Sequence, residues 1–101
     1  MNSKNNYKLK SFIFVLINDF SLNAFGNAIE PLRLANRLAQ KQLYSWELIS
    51  ETGEKVKCSS GLYFEVDSSI RQIKNHDYII LCTGENIKKN TTTTILNWIR
   101  K

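Results

Sequence analysis

The 101-residue sequence holds one histidine, one proline, two cysteines and four glycines, and each scarcity removes a class of function. A lone histidine, His76, leaves no His-based metal cluster or repeated acid–base pair. Cys58 and Cys82 stand in unlike contexts without metal-ligand spacing, so no zinc-type site or disulfide framework is read from them. So few glycines and prolines exclude low complexity and offer no glycine-rich phosphate cradle. Long hydrophobic runs are also missing. The longest, Phe12 to Ile17, falls far short of the roughly 20 residues needed to span a bilayer, so no membrane association is expected. Lys4, Lys8 and Lys10 ahead of that run imitate a secretion signal. Asn18 and Asp19 end it early, however, and no small-residue cleavage site follows. The expected location is the cytoplasm.

What remains is 43% hydrophobic and 23% charged, the composition of one globular domain. A chain of this length buries roughly 60 to 70% of its unfolded surface, enough for one core without a metal or disulfide. Fourteen Lys and Arg against nine Asp and Glu give a net charge of +5. The excess is spread along the chain, mostly in its first ten residues and in Lys88, Lys89, Arg100 and Lys101. No pattern resembles a recognition helix, a zinc finger or an aromatic-basic RNA platform.

Residues 1 to 11 are polar and read as a loose leader to a domain over 12 to 101. Phe12 to Ile17 is a β-favouring run without polar alternation, which suits a buried central strand. Leu22, Phe25, Ile29, Leu32, Ala35, Leu38 and Ala39 then recur at helical spacing. Ser21 is positioned as the N-cap, and Pro31 predicts a kink or restart near Glu30. Tyr44 to Ile49 is a second strand, so strand–helix–strand implies a parallel pair. Val56 to Ser59 and Leu62 to Val66 flank a Ser59, Ser60, Gly61 turn and form a small β excursion. Ser68 to Ile73 reads as one helical turn, Tyr78 to Cys82 as another buried parallel strand, Glu85 to Asn90 as a polar loop, and Thr91 to Lys101 as a helix.

In an open parallel sheet, ligands gather beyond the carboxyl ends of the strands. That rule selects Asn18, Asp19, Ser50, Gly84 and Glu85 as candidate ligand-binding residues. Asp19 also suits a turn or cap, and Glu30 with Arg33 has the spacing of a helical ion pair. Cys82, at a strand end before Thr83 and Gly84, has the outline of a nucleophile elbow. A polar loop follows it and only one histidine exists to serve as base, so it reads as a buried structural thiol. Cys58 reads as a small strand residue and His76 as a surface loop residue. No catalytic residue, metal site or cofactor is assigned.

Phe20-Ser21-Leu22, Ala28-Ile29-Glu30-Pro31-Leu32-Arg33 and Ala35-Asn36-Arg37, followed by Tyr44, Trp46, Leu48, Ser50, Glu51, Gly53 and Val56, then Ser59-Ser60-Gly61 and Asp77 to Gly84, resemble the GlxA-type regulators of the AraC family. Over about nine tenths of the chain the resemblance is to their ThiJ/PfpI-like, class I glutamine amidotransferase-like domain. It implies an α/β, flavodoxin-like parallel sheet flanked by helices, present as its N-terminal half and used to sense a small metabolite. It also implies a helix-turn-helix domain elsewhere in full-length relatives, through which DNA is bound. Catalytic members of the wider superfamily place an acid on the first helix, where this sequence has Ala24, and their nucleophile on a later strand, beyond residue 101. Gly84 matches the superfamily's glycine after the strand, while Thr83 replaces the usual preceding glycine.

Three functions follow for testing. The first is the non-catalytic ligand-sensing part of a cytoplasmic regulator, with self-association expected. The second is a fragment of a ThiJ/PfpI-type hydrolase or amidotransferase-like enzyme. The third is a stand-alone interaction module.

Overall fold

A computed structural model describes residues 8–73 and 75–100. The polar opening segment falls mostly outside this range, as does Lys101. Strand β1 runs over Lys10–Leu16, two residues earlier than the apolar run alone predicts. The extension comes from backbone partners: Lys10 N–H donates to the Leu43 carbonyl at 3.1 Å. Ser11 N–H and hydroxyl both donate to Asp77 Oδ2, at 2.8 and 3.2 Å. These bonds, led by the one from the Ser11 backbone, draw the Asp77 carboxyl below its ordinary pKa.

Helix α1, Leu22–Ala39, begins where Ser21 Oγ accepts from Ala24 N–H and ends on Gln40 in the left-handed region. It runs through Pro31 as one continuous helix, so it does not restart there. Neighbouring turns and the packed inner face hold the helix where propensity alone would have released it. That inner face carries Phe25, Ala28, Ile29 and Leu32. Leu38, expected on it, is 76% exposed. It lies about 140° round the helix from Phe25, and the face continues instead through Asn36.

Strand β2, Tyr44–Ser50, pairs parallel with β1, setting Phe12 beside Trp46 and Val15 beside Ile49. Next come β3, Val56–Lys57, and β4, Tyr63–Phe64, an antiparallel pair closed by the Ser59-Ser60-Gly61 turn. Gly61 takes φ 91°, a left-handed conformation that favours glycine. Ser68–Ser69 form not a helical turn but β5, a short parallel strand on the free edge of β2. The open backbone edge of β2 gives these serines ladder partners, and only the bond from Gln72 N–H to the Ser69 carbonyl, 3.1 Å, marks a turn after them.

Strand β6, Tyr78–Cys82, pairs parallel with β1 from Phe12↔Tyr78 to Leu16↔Cys82. The expected polar loop beyond it contains a short helix, α2, Ile87–Asn90, which starts from Asn86 at φ 56°. Helix α3, Thr93–Arg100, is capped by Thr92 Oγ1, which accepts from Ile95 N–H at 3.2 Å.

The sheet order is β5-β2-β1-β6, with every pair parallel. Alternating side chains send β1 into two cores. Phe14 and Leu16 pack with Phe20, Cys58, Cys82 and α1's Phe25, closed over by the hairpin's Val56 and Phe64. On the other face Ile13, Val15 and Ile17 meet Ile49, Ile70 and α3's Ile95. Phe14 and Val15 are both fully buried, as the absence of polar alternation predicted. The protein is an α/β layered fold with a four-stranded parallel sheet between helices. No helix among the described residues is long and apolar enough to cross a membrane.

Candidate functional site

The carboxyl ends of β1 and β2 open on a cavity of about 200 Å³. Its floor is apolar, made by Leu16, Ile17, Val56 and Ile95, and its polar wall includes Asn18, Ser50, Glu51 and Glu54. Two of the five candidate residues, Asn18 and Ser50, line this space together. Ser50 is 5% exposed, and its hydroxyl donates to the Glu54 carbonyl at 2.8 Å and accepts from Gly53 N–H at 2.9 Å. This side chain folds the β2–β3 turn back over the strand end.

The other three candidates, Asp19, Gly84 and Glu85, do not line that cavity but meet one another at the turn that follows β1. Asp19 sits at φ 68°, with its backbone N–H donating to the Lys57 carbonyl at 2.7 Å. Its own carbonyl accepts from Glu85 N–H at 3.2 Å. Gly84 packs so close that an added Cβ would strike the Asp19 carbonyl oxygen and come within 2.9 Å of Ser21 N. Gly84 and Phe20 form a bridge, and Phe20 bridges Cys58 on its other side. Thus β6, the β1–α1 turn and the hairpin are joined at one place.

The residue that closes this arrangement is Asn90, at the end of the expected polar loop. Its side-chain amide donates to the Asn18 carbonyl and Asp19 Oδ2, both at 3.1 Å, and reaches the Glu85 carbonyl at 3.4 Å. Asn90 also lines the cavity, as does Thr92, whose hydroxyl donates to Glu51 Oε1 at 2.8 Å. No pattern flags Asn90 in the sequence, because its role depends on the α2 turn bringing it back 72 residues to Asn18. Lys55, also on the wall, holds its ammonium 4.9 Å above the Tyr63 ring.

The thiols lie elsewhere. Cys82 is 7% exposed, and burial pushes its pKa up to about 11. Such a thiol is protonated at neutral pH and poorly nucleophilic. Cys58 is fully buried, and its Sγ lies 3.2 Å from Ser60 Oγ, a hydrogen bond that draws its pKa down against the effect of burial. Neither lines the cavity. His76 is not a plain surface residue: its Nδ1 is buried and has no hydrogen-bond partner among the described residues, and the ring lies 6.2 Å from that of Trp98. Glu30 and Arg33 form the expected exposed ion pair at 2.6 Å. Among the described residues, no group of three His, Cys, Asp or Glu side chains is placed to hold a metal ion.

No family model matches the chain. Among curated proteins it is 35% identical over 83 residues to the HTH-type transcriptional regulator GbdR of Pseudomonas aeruginosa, covering 82% of this chain and 23% of that one. It is 33% identical over 92 residues to the HTH-type regulator CdhR of the same species, covering 91% and 27%. A shorter match, 43% over 49 residues, is to the HTH-type regulator GlxA of Rhizobium meliloti, covering 48% and 15%. The chain thus spans about a quarter of the length of the first two relatives. Among solved structures, an AraC-family regulator from Pseudomonas putida superposes with a TM-score of 0.68 at 26% identity, over 76% of this chain and 42% of that one. A DJ-1 superfamily protein from Agrobacterium tumefaciens gives 0.66 at 17% identity, over 91% and 47%. Across most of its length, therefore, this chain is a homologue of HTH-type transcriptional regulators such as GbdR and CdhR, and its parallel sheet is part of a flavodoxin-like fold shared with an AraC-family regulator and a DJ-1 superfamily protein.

Proposed function

We propose that the chain is the ligand-sensing, non-catalytic part of a cytoplasmic transcriptional regulator, and that its effector is a small metabolite received at the strand-end cavity. The observation that carries this reading is the preformed, braced pocket at the carboxyl ends of β1 and β2, where parallel sheets hold ligands. Asn18 and Ser50 would face the metabolite, while Asp19, Gly84 and Glu85 would hold the wall and pass its position to α2. The relatives' role in transcription supports a signalling rather than chemical use of that pocket. On this reading DNA is bound by a part of such regulators outside the quarter spanned here, and this chain's net +5 gives only weak, sequence-independent attachment.

The test is a two-dimensional NMR titration of the chain with small amino acids, organic acids, amines and nucleosides, beside a thermal-shift screen. A binder should raise Tm and move the amide signals of Asn18, Ser50 and Asn90. Perturbations confined to the Lys41 to Tyr44 connection would count against the site. The enzyme reading is tested in parallel: turnover that a Cys82→Ser variant abolishes would replace the sensor with a catalyst.

A further inference from the structure

Polar groups around the strand-end cavity are largely committed within the fold. Asn90 holds two turns, Ser50 closes its own loop, and Glu51 accepts from Thr92. A different chemistry lies farther along α3. There Ile70 and Arg71, after β5, face Thr94, Asn97 and Trp98 of α3 across an open groove of about 500 Å³. Ile70, Arg71 and Thr94 also belong to an adjoining hollow that reaches toward Ser69 and Glu51.

The side chains of Arg71, Thr94 and Asn97 make no hydrogen bond or ion pair with any described residue, and neither does the Trp98 indole N–H. The nearest acid in the adjoining hollow, Glu51, is held by the Thr92 hydroxyl at 2.8 Å and forms no ion pair with Arg71. The groove therefore gathers a free guanidinium, a free carboxamide and a free hydroxyl above an apolar floor of Ile70 and the half-buried Trp98 ring.

We propose that this groove is a second binding site, distinct from the strand-end cavity, for a small organic anion: a carboxylate carried on a flat apolar body. A guanidinium takes a carboxylate through two parallel N–H bonds, with a geometry that an ammonium lacks. The amide and hydroxyl across the groove can donate further bonds to an anion, while the guanidinium, which only donates, sets the preference for one. The indole face and Ile70 accept the flat apolar part. A volume of this order falls within the range of small-molecule sites, about 300 to 1,000 Å³. Since Thr92 and Ile95 of the same helix end border the strand-end cavity, an occupant here would lie one turn of α3 away from it.

The experiment titrates the chain with phenylacetate, phenylacetamide and acetate at low salt. Trp98 emission is followed in a Trp46→Phe background, because Trp46 packs in the other core. The Trp98 indole N–H resonance is followed in the unaltered chain, so that any loss of stability from the Trp46 change does not decide the outcome. Phenylacetate should give a saturable change at Trp98, with the neutral amide and bare acetate each weaker by about tenfold or more. Arg71→Gln should weaken phenylacetate binding about tenfold or more, the loss expected for one charge-assisted contact. Glu54→Gln, in the strand-end cavity, should leave it unchanged. No saturable change up to about 10 mM probe, a concentration that detects even millimolar affinity, would overturn the proposal. Equal binding by the amide, or undiminished binding by Arg71→Gln, would overturn it as well.

Discussion

Two glycines separate what a residue does by freedom from what it does by absence. Gly84 is needed because the Asp19 carbonyl and Ser21 N occupy the space where a Cβ would go. A Gly84→Ala variant should lose about 2–3 kcal/mol of stability, the scale of overpacking against atoms that cannot move aside. Gly26, mid-helix in α1, has nothing within 4 Å of an added Cβ. Gly26→Ala should therefore gain about 0.5–1 kcal/mol by lowering the entropy of the unfolded chain. Urea melts of both variants check the pair, and equal signs would show that the β1–α1 and β6–α2 turns are not packed as described. Cys82 gives a second prediction at this scale. With its pKa raised from 9.0 to about 11, the folded state favours the protonated thiol. Its contribution to stability is then fully present below about pH 9 and is lost as pH rises through about 11. Ellman's reagent at pH 8 should modify Cys82 only on unfolding, and Cys82→Ala should flatten stability against pH between those values. Fast, stoichiometric labelling of the native chain would contradict both expectations. The sequence placed Cys82 at its strand end and rejected it as a nucleophile. It could not show how deeply α1 and the hairpin bury it, since that depends on contacts between distant segments.

At the scale of elements, the motifs that carried the family resemblance prove to be joints in the fold. Asn36, from the Ala35-Asn36-Arg37 stretch, accepts from Leu43 N–H at 2.8 Å and Tyr44 N–H at 2.9 Å, and donates to the Tyr44 carbonyl at 2.9 Å. One side chain thus fixes the exit of α1 to the start of β2. Ser59-Ser60-Gly61 turns the hairpin, with Gly61 N–H donating to the Cys58 carbonyl at 2.9 Å. Asn36→Ala should cost about 2–3 kcal/mol, because it leaves partly buried N–H groups of the connection without partners. The measurement is a thermal melt beside amide exchange at Leu43 and Tyr44. Unchanged exchange there would mean that the connection is held by something other than Asn36. The long apolar strands and α1 were legible because their burial is continuous or periodic along the chain. β5 and α2 were not, because Ser68–Ser69 and Ile87–Asn90 have weak local preferences and take their form from the edge of β2 and the turn after β6. The candidate site divided in the same way. The strand ends at Asn18 and Ser50 followed from topology, whereas Asn90 and Thr92 needed the three-dimensional return of the chain.

For the molecule as a whole, β1 is covered on both faces and both edges, whereas β6 is an edge strand among the described residues. Tyr78 at its start is 50% exposed, and Ile79, Ile80 and Leu81 are only partly buried. A parallel edge of this kind presents unpaired backbone groups beside apolar side chains, which invites pairing with another strand. Studied by itself, this chain should therefore associate with copies of itself through the β6 edge. Light scattering should give a mass above that of the 11.7 kDa monomer, rising with concentration. Hydrogen exchange should be slowest at Ile13 to Leu16 and should slow further along Tyr78 to Cys82 as association proceeds, since only the edge gains partners. Replacing Ile80 with lysine would leave the edge exposed but place a charge on α1's side of the sheet, so it risks unfolding the core. Tyr78→Lys is the cleaner gatekeeper, because Tyr78 is half exposed; it should give a monomer while lowering Tm by about 4–8 °C, the loss expected when its ring no longer stacks on Phe12 at 4.9 Å. A compact monomer in the parent chain, with Tyr78 to Cys82 already as protected as β1, would show that the β6 edge is closed by some other part of the molecule.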